Sequence, residues 1–300
     1  MILVTGGSGF IGSKLVHSLI KRGYDVKILT RDPRKIKIKD VESVKGDITR
    51  KETLKNAVKD VDVVVHLAGL VSYTKPEEVL YRINVDGTKN LLDVSKNVDK
   101  FIFSSSVSVF GPIKGVADEN YPCKPMSYYG KSKLEAEKLI HDSGIKHVIL
   151  RIAPVYGAGS PYWLKNLKML DSGFPIPNTK SLTHIVHISD VVNAFILSIK
   201  RGEGIYNIAD KKPIPFVRLA EKIVKLLGKK PKKLPLWLVY LISVFMGKKK
   251  YIDVLTMNRN YSIKKAQKEL GYKPKADMDK ELKKMIDWYK SLRDKHVQYS

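Results

Sequence analysis

The stretch VTGGSGFIG, Val4 to Gly12, sets the pattern T-G-x-x-G-x-x-G between an apolar run and a helical one. Gly6 permits a tight turn, Gly9 lets backbone approach a pyrophosphate, and Gly12 permits close helix–strand packing. Phe10 and Ile11 then open a helix whose first N–H groups point at the anion. Glycines so spaced also serve a bare strand–helix turn. Their place at the first strand of an alternating pattern decides for a dinucleotide cradle.

That alternation runs outward from the cradle. A helix through IGSKLVHSLIKRG is followed by the strand DVKILT, a short strand at VESVKGDI and a helix through KETLKNAVK. VDVVVHLAG, a helix from about Glu77 to Asn97 and the strand KFIFSSSVSVFG come next, and KHVILRI and IYNIAD extend the series. Continuous β-branched runs separated by helices predict an α/β fold, a Rossmann-type doubly wound parallel sheet covered on both faces. From Gly157 onward, Gly, Pro and Ser gather at YGAGSP and SGFPIPN, and short helices replace the alternation. The expected division is 1–156 plus about 185–209 for the dinucleotide-binding domain. About 157–184 and 210–300 form a smaller, interleaved substrate lobe.

Three hundred residues, 43% hydrophobic and 28% charged, suit a globular protein. The single cysteine, Cys123, excludes an internal disulfide, and its neighbours have no metal-ligand spacing, so no metal is expected. MILVTGGSGF runs straight into a strand without a targeting segment, and a cytoplasmic location is expected. The net charge is +25, and residues 211–300 carry 24 Lys/Arg against 8 Asp/Glu. Those basic residues alternate with apolar ones at helical spacing, as solvated helix faces do, so nucleic acid is not the expected partner. LPLWLVYLISVFMG, Leu234 to Gly247, is too short to span a bilayer. Lysines bracket it on both sides within 229–250. It reads either as a lobe helix with solvated ends or as a peripheral contact with an anionic membrane.

At the end of the second strand, KILTRDPRK puts Thr30 where an acid would hold a ribose 2′-hydroxyl, with Arg31 directly after. Arg31 suits a 2′-phosphate and favours NADP over NAD, with Arg34 and Lys35 behind it. In the alternative, Asp32 binds the ribose and Arg31 is an exposed loop charge.

MSYYGKSKLEAEKL supplies the chemistry. Tyr129 and Lys133 are four apart, hence on one helical face. A neighbouring ammonium favours the phenolate and makes Tyr129 a candidate general acid/base toward a carbonyl oxygen. Tyr128 has only Ser132 at that spacing. FIFSSSVSVFG, upstream, ends a strand in hydroxyls at the carboxyl edge of the sheet, where such folds bind ligands.

The chain resembles the extended short-chain dehydrogenases/reductases, the NAD-dependent epimerase/dehydratase family. The motifs are the glycine pattern, GDI (Gly46–Ile48), HLAG (His66–Gly69), YRINVDGTKNLL, FIFSSSVSVFG, YGKSK, LRIAPVYGAG and KKAQKELGYKP. The resemblance implies that Asp47 and Ile48 lie by the adenine, that Leu67, Ala68 and Gly69 line the cofactor, and that Pro154 and Val155 do so further on. It also implies that Ser106 hydrogen-bonds the reacting oxygen beside Tyr129 and that Ser104 and Ser105 line the nicotinamide. Lys133 would hold the ribose, Asn84 would support the site, and a homodimer would form through helices near Val85–Asn97 and Tyr129–His141.

Departures narrow the branch. Val107 and Ser108 stand where dehydratases place an acid pair. Thr183 and His184 stand where epimerases carry an arginine for the substrate pyrophosphate, and KKYIDVLTMNRNYS lacks the Arg-Pro-Gly-Asp run. VHISDVVNAFILSI, PLWLVYLI and YSIKKAQKELGYKP are similar to the dihydroflavonol reductase and 3β-hydroxysteroid dehydrogenase-like branch. The expected activity is therefore hydride transfer between nicotinamide and a carbonyl or secondary alcohol of a small, partly apolar substrate. A nucleotide-sugar 4-epimerase with tightly held NAD, or a non-catalytic binder of the same fold, are the competing readings. Tyr73, Tyr156, Trp163 and His184 are candidate substrate contacts beside Ser106. His187 reads as either a pocket or a core histidine.

Overall fold

The computed structural model describes residues 1–36, 38, 41–245, 247, 252, 253 and 256–297. Strands β1 (Ile2–Thr5), β2 (Val26–Thr30), β3 (Glu42–Lys45), β4 (Val63–His66), β5 (Lys100–Ser106) and β6 (His147–Ile152) come first. Short strands β7 (Val155–Tyr156), β8 (Ile176–Asn178), β9 (Leu182–Thr183) and β10 (Val186–His187) precede β11 (Gly204–Ile208), which β12 (Ile214–Pro215) and β13 (Lys233–Pro235) follow. The helices are α1 (Phe10–Ile20), α2 (Glu77–Tyr81), α3 (Gly87–Val94), α4 (Tyr128–Asp142), α5 (Pro161–Asp171), α6 (Ile188–Lys200), α7 (Phe216–Leu226), α8 (Leu236–Phe245) and α9 (Met278–Val297).

Seven strands form one parallel sheet in the order β11-β6-β5-β4-β1-β2-β3. The strand order reverses between β1 and β4, and the crevice at the carboxyl ends of those strands is where such a sheet binds a ligand. Ile2, Val4, Ile28, Val65 and Ile102 pack on one face with Leu15 and Leu19 of α1 and Val191 and Phe195 of α6. Leu3, Leu29, Val64, Phe101 and Phe103 pack on the other with Leu91 of α3 and Ala136 and Ile140 of α4. Burial on both faces is why these strands read as unbroken apolar runs.

A third cluster joins Trp163, Leu167 and Leu170 of α5 to Leu219 and Ile223 of α7 and Leu282 and Ile286 of α9. It is a core separate from the two sheet-face clusters. Tyr261, Ile263, Ala266, Leu270 and Tyr272, in contrast, pack into the first sheet-face cluster. None of the described helices is long and apolar enough to cross a membrane.

Two local expectations are corrected. KETLKNAVK forms only a 3₁₀ turn at Lys51–Thr53. The Thr53 hydroxyl donates to the Arg50 carbonyl at 2.7 Å and accepts from the Asp47 N–H at 3.0 Å. These bonds compete with a helical ladder. The segment expected as one helix from Glu77 to Asn97 is α2 and α3 joined by a π turn at Arg82–Asp86 and ends at Val94.

Candidate active site

The glycine turn is shaped by contacts that a side chain would destroy. Gly6 has φ +69°, and a Cβ there would lie 2.8 Å from the Ala68 nitrogen. A Cβ on Gly12 would lie 2.1 Å from the Gly6 oxygen. The loops after β1 and β4 therefore touch, and α1 starts against the turn. Gly9 is the N-cap of α1 and provides no side-chain cap, which leaves the first-turn amides to an anion. The Thr5 hydroxyl lies 2.7 Å from His66 Nδ1 and accepts from the Ala68 N–H at 3.1 Å, pinning the two loops. Burial, aided by the Lys133 charge, pulls the His66 imidazole down to about 3, so it stays neutral as a structural link.

In the loop after β3, Asp47 Oδ1 accepts from the Thr49 N–H and hydroxyl, both at 2.9 Å. Burial would raise this carboxyl, but those bonds and the charges of Arg31 and Arg50 outweigh it and hold it below the usual range. Asp32 caps the turn at Pro33–Lys35, accepting from the Arg34 N–H, and pairs with the Arg34 guanidinium at 2.9 Å. Asp32 is thereby engaged within its own loop, and Arg31 is the exposed charge beside Asp47. Glycine turn, helix terminus and Asp47 form one continuous edge that fits a dinucleotide.

Ser127 starts α4, its hydroxyl accepting from the Gly130 N–H at 3.0 Å. A Cβ on Gly130 would lie 2.5 Å from the Ser108 oxygen, so the missing side chain lets α4 close on the turn after β5. That approach brings Tyr129 close enough to Ser106 for its hydroxyl to favour the phenolate. The Ser106 hydroxyl also accepts from the Ser108 N–H and donates to Ser108 Oγ, both at 3.1 Å. Tyr129 is 6% exposed, and Tyr128, beside it in sequence, is 47% exposed with Lys131 over its ring. Only Tyr129 reaches the strand edge.

Burial pushes the Tyr129 phenol above its ordinary value, the Tyr73 phenol adds to this, and the nearby Ser106 hydroxyl opposes it. The ammonium of Lys133 donates to the Ser104 carbonyl at 2.8 Å and sits over the Phe103 ring. Burial draws Lys133 down to about 8, against an upward pull from Glu137 one turn further along α4. Asn84, in the π turn, accepts from the Leu70 N–H at 2.7 Å and donates to the Leu70 carbonyl and the Ser132 hydroxyl, both at 3.0 Å. It ties the HLAG loop to α4. A Cβ on Gly69 would lie 3.4 Å from the Lys133 ammonium, so this loop passes directly beside the lysine.

Other expected contacts are placed differently. Strand alternation turns Ser105 toward the face of Phe101 and Phe103, where its hydroxyl donates to Glu137 instead of lining a nicotinamide. Tyr156 is fully buried, its ring 5.1 Å from that of His187. His184 is also a core residue, its Nε2 2.9 Å from the Asp210 carbonyl and its Nδ1 accepting from the Tyr261 N–H at 3.1 Å. Burial lowers it to about 4, and an imidazole so enclosed contacts no substrate. His187 caps α6 and lies 3.5 Å from Glu281.

Trp163 lines a cavity together with Pro154, Tyr162, Thr183, Phe216 and Arg259. Val155, next to Pro154, is half-buried in β7. Tyr73, 47% exposed, meets the Tyr129 ring edge-on at 6.0 Å, and its hydroxyl is 3.5 Å from Ser108 Oγ. It also acts electrostatically on Tyr162 of the cavity wall. Sequence reading overlooked Arg259. In MNRNYS it has no periodic neighbour to mark it, yet it is buried and lines the cavity, its Nη1 donating to the Met257 carbonyl at 3.4 Å.

Residues 2–209 match the profile described as the NAD dependent epimerase/dehydratase family. UDP-glucose 4-epimerase of Vibrio cholerae is 31% identical over 301 residues, covering 91% of this chain and 90% of the relative. Sterol-4-alpha-carboxylate 3-dehydrogenase, decarboxylating, of Mus musculus is 27% identical over 341 residues, covering 97% and 91%. The solved UDP-glucuronic acid 4-epimerase from Bacillus cereus, in complex with NAD, is similar at a TM-score of 0.80 and 26% identity, over 97% of this chain and 99% of that one.

Proposed function

Because the chain belongs to the NAD dependent epimerase/dehydratase family, we propose that it is an NAD(P)-dependent oxidoreductase acting on a carbonyl or secondary alcohol of a partly apolar substrate. The observation that carries this reading is the buried Tyr129 phenol within electrostatic reach of the Ser106 hydroxyl, with Lys133 one helical turn away at the same strand edge. The bound dinucleotide supplies or accepts the hydride. Held protonated by burial, Tyr129 gives its proton to the carbonyl oxygen as negative charge develops there, and takes it back in the reverse direction. Ser106 donates a hydrogen bond to the same oxygen. The Lys133 ammonium, fixed by Ser104 beside the Gly69 loop, is positioned for ribose hydroxyls.

The cavity wall of Trp163, Leu170, Ile185, Phe216 and Leu219 supports a substrate with an apolar body. Arg259 in the same wall favours the second reading, a nucleotide-sugar epimerase, since a guanidinium suits a phosphate. The relatives include both kinds of enzyme. The two separate by whether cofactor is consumed. The purified protein, given NADPH and a panel of cyclic and aryl ketones, is expected to oxidise the nicotinamide in step with alcohol formed. Interconversion of UDP-sugars without net cofactor change, by protein that retains NAD through purification, would overturn the oxidoreductase reading.

The cofactor of this reading is NADP, on the support of Arg31 beside Asp47 and of Asp32 held by its own loop. The Arg31→Ala variant is expected to raise KM for NADP by roughly tenfold or more, a charge-assisted bond contributing about 1.5–3 kcal/mol, with KM for NAD little changed. Equal effects on both cofactors would place the 2′-phosphate elsewhere.

A further inference from the structure

Helix α8 reverses the usual rule for a helix on a folded lobe. Its neighbour α7 buries its apolar stripe, Leu219, Ala220, Ile223 and Val224. In α8 only Val239 and Ser243 are buried, while Trp237, Leu241, Val244 and Phe245 are exposed. Those four lie at i, i+4, i+7 and i+8, hence on one face opposite the buried pair. Trp237 is 68% exposed and Phe245 84%. A protein that only needs to stay dissolved does not present such a ridge.

Charge around the ridge identifies what covers it. Residues 229–250 contain Lys229, Lys230, Lys232, Lys233, Lys248, Lys249 and Lys250 and no Asp or Glu. Lys230 and Lys232 are exposed, and Lys233 is half-exposed in its pair with Glu221. Lys248 to Lys250 lie outside the described residues. A protein partner for an apolar ridge would match it with an apolar groove and has no need of flanks so rich in lysine. A duplex nucleic acid would use the lysines and leave Trp237, Leu241 and Phe245 in water. An anionic bilayer uses both: headgroups take the lysines, and the acyl boundary takes the tryptophan and the aliphatic side chains.

We infer that α8 is a peripheral membrane-docking helix that lies in the interface of an anionic bilayer with Trp237, Leu241, Val244 and Phe245 inserted. The helix is seated for this by β13, which pairs with β8 and fixes the lobe beneath it. The inference does not rest on the enzymatic reading above and stands or falls apart from it.

Full-length protein is sedimented with vesicles of phosphatidylcholine alone or mixed equally with phosphatidylglycerol, at low and high NaCl. The expected result is at least tenfold tighter partitioning onto the anionic vesicles, severalfold weakened by high salt. The double substitution Trp237→Ser with Phe245→Ser should reduce that partitioning at least tenfold without lowering Tm, since both side chains are solvent-facing. Brominated lipid should quench the wild-type fluorescence, and Trp237→Phe should remove the quenching, because Trp163 and Trp288 belong to the lobe core. No sedimentation with anionic vesicles at low salt would overturn the inference. So would a double variant that sediments like wild type, because lysines adsorbing to any polyanion, nucleic acid included, would then explain the binding. A solution dimer abolished by the double substitution would also overturn it, a second copy then being what covers the ridge.

Discussion

Tyr129→Phe is expected to lower kcat by about 10²- to 10⁴-fold, the range a positioned general acid/base contributes. Affinity for the dinucleotide should be nearly unchanged. Tyr129 lies near Ser106 and meets the Tyr73 ring edge, and the glycine turn and Asp47 that would hold the cofactor are separate from it. Tyr128→Phe is the matched control, and with Tyr128 exposed its turnover should be that of wild type. The wild-type pH profile carries the same chemistry. Burial raises the Tyr129 phenol, so the protonated form that reduction needs is present at neutral and acid pH. Oxidation needs the phenolate and should therefore keep accelerating as pH rises above neutrality. Reduction should hold level over the same range and fall only when the phenol deprotonates. Opposite slopes, or wild-type turnover in the phenylalanine variant, would remove Tyr129 from the reaction.

The second large effect is expected beneath the site. Glu137 and Arg151 form an ion pair at 2.7 Å, their side chains 4% and 5% exposed. Arg151 Nε also donates to the same carboxylate at 3.2 Å, its Nη1 donates to the Glu119 carbonyl at 3.0 Å, and the guanidinium lies over the Phe110 ring. Ser105 donates to Glu137 from the strand that carries Ser106. Removing one partner leaves the other charged and buried, so Arg151→Met or Glu137→Leu alone should cost about 3–5 kcal/mol of unfolding free energy. The double variant should recover most of that loss, because two apolar side chains of similar volume leave no unpaired charge. Urea midpoints with unchanged slopes measure this, and single variants within about 1 kcal/mol of wild type would mean the pair is solvated. Since Glu137 pulls Lys133 upward from the lowering that burial imposes, the Glu137 variants should also carry Lys133 below about 8.

The legible part of this protein is periodic or conformationally forced. VVVH and FIF announce buried parallel strands because every residue faces a packed layer. Gly6 and Gly12 announce the cradle because any Cβ there meets backbone. Tyr129 and Lys133 could be paired without coordinates because helical spacing puts them on one face. The α8 run could be seen as apolar between lysines, and which of its faces meets water could not.

What failed to show in the sequence depended on contacts between distant segments. Ser105 departs from its neighbours Ser104 and Ser106 only because β5 alternates and α4 brings Glu137 beneath it. Tyr156 follows the sheet at its ligand edge, yet it and His184 are both enclosed by core, His184 stacked on Tyr261 and Tyr156 tilted against His187. Arg259 reaches the cavity from 76 residues beyond Thr183, through a backbone bond from its N–H to the Leu182 carbonyl at 2.8 Å. Local spacing thus determined the sheet, the glycine turn and the pairing of Tyr129 with Lys133 on one helical face, because backbone sterics and helix and strand periods act over a few residues. Only the tertiary structure decided which serine hydroxyl is turned to Glu137, which histidines are merely buried and which arginine lines the cavity. Those outcomes depend on desolvation and on partners contributed by remote parts of the chain.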